Sequence, residues 1–197
     1  DNAENYLRSL YESVKPEHVV EIGADPQMRL IARAAFDLPR TSVVDFAEIN
    51  DYKEGWFEMH NNMGIRVNRV DGDAQNLSSL ISTADIVYSH NVLYSADSGN
   101  DIKKHLAHRR GEVPLSDPEV AQLRENFRVA EIKSIREACK VAMKGHVVWF
   151  KYNENSGVFN ILSEEQNREL VKNKVLGFNG ELPEHVLFFY HLSPPKC

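Results

Sequence analysis

The chain has 197 residues, the length of one domain at about 150 residues per domain. Its 23 Lys and Arg against 29 Asp and Glu leave a net charge of −6, which excludes a global attraction to nucleic-acid phosphates or an anionic membrane surface. With 42% hydrophobic and 26% charged residues, the composition is that of a globular chain with a real core, not of a disordered one.

Taken in chain order, the hydrophobic pattern alternates between two periods. Residues 18–22 form a short β-branched run ending at Gly23, which predicts a buried strand. Residues 26–36 follow with apolar side chains at helical spacing, and Asp25-Pro26 is a good helix start. A second strand is predicted at 41–46, a helix at 52–63 stopped by Gly64, a third strand at 65–70, a short helix at 76–81 and a fourth strand at 84–89. Residues 96–118 interrupt this rhythm; the stretch is polar, carries Gly99, Gly111, Pro114 and Pro118, and holds the one basic run, residues 103–110. From Asp117-Pro118, apolar residues recur at three- and four-residue steps as far as Val141, a long helix ended by Gly145. A fifth strand at 146–152, a helix at 163–172 opened by a Ser163/Gln166 capping box, and two final strands at 175–178 and 186–192 complete the chain. No internal repeat appears. This alternation predicts a parallel sheet with helices on both faces, whose ligands bind beyond the carboxyl ends of the strands.

Cys139 and Cys197 are too few for a disulfide framework, so a reducing compartment is expected. No apolar run approaches the roughly 18 residues of a membrane span, and no signal-peptide pattern opens the chain. A soluble cytoplasmic protein follows as the expectation. Asp1 stands where a Met would, which leaves room for residues upstream.

The strand ends carry the chemistry. Strand 1 closes on Glu21-Ile22-Gly23-Ala24-Asp25, where a glycine lets the backbone turn and a ligand approach. Strand 2 ends at Asp45, 22 residues past Gly23, a distance at which an acid can take the two hydroxyls of a ribose. Glu48 is the nearby substitute. Strand 3 leads into Asp71-Gly72-Asp73-Ala74, and strand 4 into Ser89-His90-Asn91.

In these places the chain resembles the class I S-adenosylmethionine-dependent methyltransferases. The first motif of that family resembles E/D-x-G-x-G-x-G and is met here by Glu21-Ile22-Gly23. Asp45 matches the acid after strand 2, and Gly72-Asp73-Ala74 the Asp-Ala pair after strand 3. Asp85-Ile86-Val87-Tyr88-Ser89-His90-Asn91-Val92-Leu93 matches the strand 4 run. The resemblance extends over residues 18–192. It implies a three-layer αβα sandwich with a seven-stranded, mostly parallel sheet and a reversed last strand, in one domain spanning 1–197 with a lid-like insertion at 96–118. It departs at the second and third motif glycines, replaced by Asp25 and Gln27, which narrow the space beside the usual methionine-moiety site.

The resemblance implies S-adenosylmethionine as cofactor and assigns its site to Glu21, Gly23, Ala24, Asp25, Asp45, Phe46, Asp73, Ala74 and Ser89. Glu21 would hold the first loop and the ligand's amino group, Asp45 the ribose, Asp73 and Ala74 the adenine edge, and Phe46 the adenine face. Each has a bland counterpart: Asp25 as a helix cap, Asp73 as a turn residue, Phe46 as core. His90 is the candidate base for a hydroxyl acceptor, with Tyr94 close behind it; otherwise His90 is a hydrogen-bonded structural histidine. No N-P-P-Y-like tetrad follows strand 4, so the amide and base-amine methylation signature of the family is absent. The basic run reads either as a solvated helix face or as a lid meeting a phosphate or carboxylate on the acceptor. His105 and His108 share a helical face without a third ligand, so no metal is expected.

The leading expectation is therefore a methyltransferase acting on a small molecule, with an anionic acceptor in the lid reading. Neither nucleic acid nor membrane is expected as a partner, and a homodimer is allowed without being specified. The alternative is a catalytically inert methyltransferase-like protein, used for binding or assembly, whose altered first loop no longer takes the cofactor. A dinucleotide enzyme ranks last, because the loop is not G-x-G-x-x-G.

Overall fold

The structure is a computed structural model that describes residues 2–23, 40–45, 58, 61–62, 64, 66–90, 92–97, 99–142, 145–152 and 186–192. The described elements are helix α1 (Asn2–Val14), strands β1 (His18–Ile22), β2 (Arg40–Asp45) and β3 (Val67–Asp71), a 3-10 turn (Ala74–Asn76), helix α2 (Leu77–Leu80), strand β4 (Ile86–His90), helices α3 (Asn100–Arg109) and α4 (Asp117–Val141), and strands β5 (His146–Tyr152) and β6 (Val186–Leu192). The strands predicted around residues 18, 41, 65, 84, 146 and 186 all form. The expected helices at 26–36 and 163–172 and the strand at 175–178 lie outside the described residues, as does most of the helix at 52–63.

The six described strands form one sheet in the order β3-β2-β1-β4-β5-β6. β1 pairs in parallel with β2 and β4, β2 with β3, and β4 with β5, whereas β6 runs antiparallel to β5. β1 is flanked on both edges and all five of its residues are buried, His18 and Glu21 among them.

Alternation along the strands builds a core on each face. Val20, Ile22, Val87, Val147 and Trp149 pack with α2 and with the α4 stripe of Leu123, Phe127, Ala130, Ile135, Ala138 and Val141. Val19, Ile86, Tyr88 and Val148 point the other way, onto Leu7, Leu10 and Tyr11 of α1. α1 is an addition to the elements expected from the sequence, although its Leu7, Leu10, Tyr11 and Val14 stand at helical spacing.

The amino edge of the sheet is fastened by Asp85. Its Oδ2 accepts from the backbone N–H groups of Glu17 (2.8 Å) and His18 (2.9 Å) at the start of β1. Gly145 passes so close that a Cβ on it would stand 1.9 Å from the Asp85 carbonyl oxygen. Only glycine fits at that crossing.

The basic run within 96–118 is helical. Residues 100–109 form α3, which lies against α4 through the edge-on contact of His105 with Phe127 (5.6 Å) and a 2.8 Å bond from Asn126 Nδ2 to Asp101 Oδ2. Cys139, expected as a thiol in its helix, is disulfide-bonded; Cys197 lies outside the described residues.

Candidate functional site

Because β1 to β5 are parallel, their carboxyl ends share one edge. The connections from β1 to β3 run to one side of β1, and β4 begins the other side, so the switch point lies between β1 and β4. Ile22 is in register with Val44 of β2 and Ser89 of β4, and Asp45 with Asp71 of β3. Glu21, Gly23, Asp45, Ser89 and His90 therefore stand at neighbouring strand ends.

Gly23 makes the turn out of β1 with φ of +71°, and its N–H donates to the Val44 carbonyl at 2.9 Å. A Cβ on it would lie 2.8 Å from Cγ2 of Val92. Both the backbone angle and the contact call for glycine, and the contact is with this chain's own segment after β4. Glu21, on the opposite face of the strand from Val20 and Ile22, is 1% exposed, so its carboxylate sits inside the protein at the switch point.

Asp73 precedes the 3-10 turn, and its carboxylate is already engaged. Oδ1 accepts from the Gln75 backbone N–H at 2.9 Å, and Gln75 Nε2 donates to Oδ2 at 3.0 Å and to Oδ1 at 3.3 Å. The same Nε2 donates to the Ser95 carbonyl at 3.0 Å. Ala74 beside it is buried. The Ser95 hydroxyl donates to Asp97, whose Oδ1 also accepts from the Asp101 N–H in the first turn of α3 at 3.1 Å. Desolvation pushes the Asp97 carboxyl up, but the bonds from Ser95 and the backbone amides outweigh it and hold it below the ordinary carboxylate range.

Residues 92–97 thus cross the strand ends, touching β1 through Val92, the β3 loop through Ser95 and the start of α3 through Asp97. Tyr94 anchors the middle of the crossing. It is buried, its hydroxyl is hydrogen-bonded to that of Ser89, and its ring stacks on Trp149 at 5.3 Å. Trp149 in turn donates its Nε1–H to the buried Glu131 at 3.0 Å. His90 is the last residue of β4, in register with Phe150. Ala24, Asp25, Phe46, Gln27 and Glu48 lie outside the described residues.

The basic run divides among several contacts. Arg110 pairs with Glu112 at 2.5 Å, Lys104 with Glu119 at 3.5 Å, His108 bonds the Val113 carbonyl at 3.0 Å, and His105 is buried. Lys103 and Arg109 are exposed. Among the described residues no group of three or more His, Cys, Asp or Glu side chains gathers to hold a metal ion, and no described helix is long and apolar enough to cross a membrane. Gln75, Ser95 and Asp97 carry no signal in the sequence, apart from Gln75 following the Asp-Ala pair.

No protein-family model and no curated protein sequence matches the chain. Solved structures similar to it include methyltransferases. The SAH-bound methyltransferase PaMTH1 of Podospora anserina has a TM-score of 0.44 at 13% identity, over 74% of this chain and 50% of that one. The S-adenosylmethionine-dependent methyltransferase SibL in its apo form has a TM-score of 0.49 at 14% identity, over 76% and 35%. The mitomycin 7-O-methyltransferase MmcR has a TM-score of 0.46 at 13% identity, over 77% and 36%. The matches span half or less of these proteins' own lengths.

Proposed function

We propose that the chain is an S-adenosylmethionine-dependent methyltransferase acting on a small-molecule acceptor, on a sheet that is seven-stranded with a reversed last strand. The observation that carries this reading is the switch-point edge itself. A positive-φ glycine, a buried acid at β1, an acid ending β2 and an Asp-Ala pair after β3 converge there. The donor set suits the cofactor's chemistry. Carboxylates accept hydrogen bonds from an ammonium, a ribose diol and an exocyclic amine, and a basic edge would accept none of them.

In this reading Asp45 accepts from the ribose hydroxyls, Glu21 holds the first loop and the ammonium end, and Asp73 with Ala74 borders the adenine. Gly23, Ala24, Asp25, Phe46 and Ser89 complete the site from the adjoining turns. The bound cofactor would supply an electrophilic sulfonium methyl group. The chain's own part is mainly to hold the acceptor in line, since positioning supplies much of the rate of such a displacement. His90 takes the proton of a hydroxyl acceptor. Tyr94 serves as a positioning residue, because its hydroxyl is committed to Ser89 inside the core. The stretch 96–118 covers the acceptor side, with exposed Lys103 and Arg109 meeting an anionic group.

A second reading has its own observations. Val92 fills the space beside Gly23, and Gln75 already bonds both oxygens of Asp73. An inert binding protein would keep both features for its fold alone. Titration calorimetry with S-adenosylmethionine and with S-adenosylhomocysteine (SAH), its demethylated product, separates the two. Saturable heat supports the methyltransferase; no heat and no thermal shift at millimolar ligand supports the inert protein.

A further inference from the structure

We infer that Gln75 is a positioning residue that couples the carboxylate of Asp73 to the docking of α3. The inference rests on the reading of Asp73 as a ligand contact. Gln75 is 6% exposed, and its amide nitrogen donates to Asp73 and to the Ser95 carbonyl, 20 residues on. Ser95 passes the connection to Asp97 through its hydroxyl, and Asp97 accepts from the first turn of α3 through the Asp101 N–H. Four consecutive contacts thus join the β3 loop to a helix otherwise held by Asn126, Glu119 and Phe127 of α4.

The chemistry requires this residue type. A primary amide carries two N–H donors on one nitrogen and can satisfy a carboxylate and a carbonyl together. A methionine or leucine of similar size bonds neither. Gln75 also sets the carboxylate's orientation: Oδ1 takes two of its bonds and Oδ2 one, which leaves Oδ2 the greater acceptor capacity for a ligand donor. Coupling between two sites is reciprocal, so a ligand that engages Asp73 must strengthen α3 docking as much as docking strengthens the ligand.

The test is amide hydrogen exchange of residues 100–109, with and without SAH, in the wild type, Gln75→Leu and Gln75→Met, alongside SAH affinity by calorimetry. In the wild type SAH slows exchange in α3. Both variants bind SAH roughly fivefold or more weakly and lose the SAH-dependent slowing of α3, while exchange in β1 and β5 is unchanged; two variants guard against one failing to fold. SAH-dependent slowing of α3 that survives in Gln75→Leu or Gln75→Met overturns the inference, as does its absence in a wild type that binds SAH. A wild type that binds no SAH overturns the functional reading instead. The coupling is then read in ligand-free protein, where Asp73→Ala and Gln75→Leu should each speed α3 exchange and their combination should add nothing. Independent, additive effects there, or none, overturn it.

Discussion

Glu137 in α4 accepts both the amide N–H and the hydroxyl of Ser78 with one oxygen, at 2.9 and 2.5 Å across 59 residues. Ser78 lies in the first turn of α2, whose amides have no partner within the helix, so a carboxylate from another element caps it. Lys140 donates to the other oxygen at 2.5 Å. Burial pushes the Glu137 carboxyl up, but the bonds from Lys140 and Ser78 outweigh it and hold it down at about 2, against 4.5 for the free group. The unfolded chain therefore binds this proton first, and the stability Glu137 contributes is full above pH 4.5 and is lost as pH falls toward 2. Glu137→Gln should lower stability at pH 7 by about 1–3 kcal/mol and flatten the acid limb of the unfolding curve. Denaturant melts across that pH range check both effects.

A second expectation concerns Tyr94. Phenylalanine there keeps the stack on Trp149 and removes the partner of the Ser89 hydroxyl, which is fully buried. Tyr94→Phe should cost about 1–3 kcal/mol of stability, which urea unfolding measures.

The strands were legible because each is a short segment with β-branched or aromatic residues bounded by turn residues. β5 and β6 form over the residues the pattern marks, 146–152 and 186–192. α3 was legible only as the helix-face reading of the basic run, since a helix that buries only His105 carries little apolar periodicity. The site divides in the same way. Glycine and acids at strand ends can be read from local sequence, because a turn and a strand end are local events. The link from Gln75 to Ser95 cannot, since it depends on where β4 delivers the chain. Asp85 reads as part of the family's strand 4 run, and its carboxylate caps the start of β1 at the opposite edge from the site.

The pH dependence of α3 should have the same sign and a different origin. Burial in the α3–α4 contact lowers the pKa of His105, and the charges of Arg109, His108 and Arg124 lower it further. The docked helix favours the neutral ring, so docking is full above pH 6.5 and weakens as pH falls below it. Hydrogen exchange of residues 100–109 at pH 7 and pH 5, corrected for intrinsic rates, should show the loss in the wild type. His105→Leu, which keeps an apolar face toward Phe127, should show none.

The central claim is that the carboxyl edge at the switch point takes S-adenosylmethionine, and SAH calorimetry on wild type and Asp45→Ala side by side tests it most directly. Asp45 ends β2 in register with Asp71, and hydrogen bonds to a charged carboxylate contribute about 1.5–3 kcal/mol each. Saturable SAH binding to the wild type is expected, with at least tenfold weaker binding to Asp45→Ala and an unchanged thermal unfolding midpoint in the ligand-free variant. Equal affinity in the two folded proteins, or no binding to either, would contradict the claim.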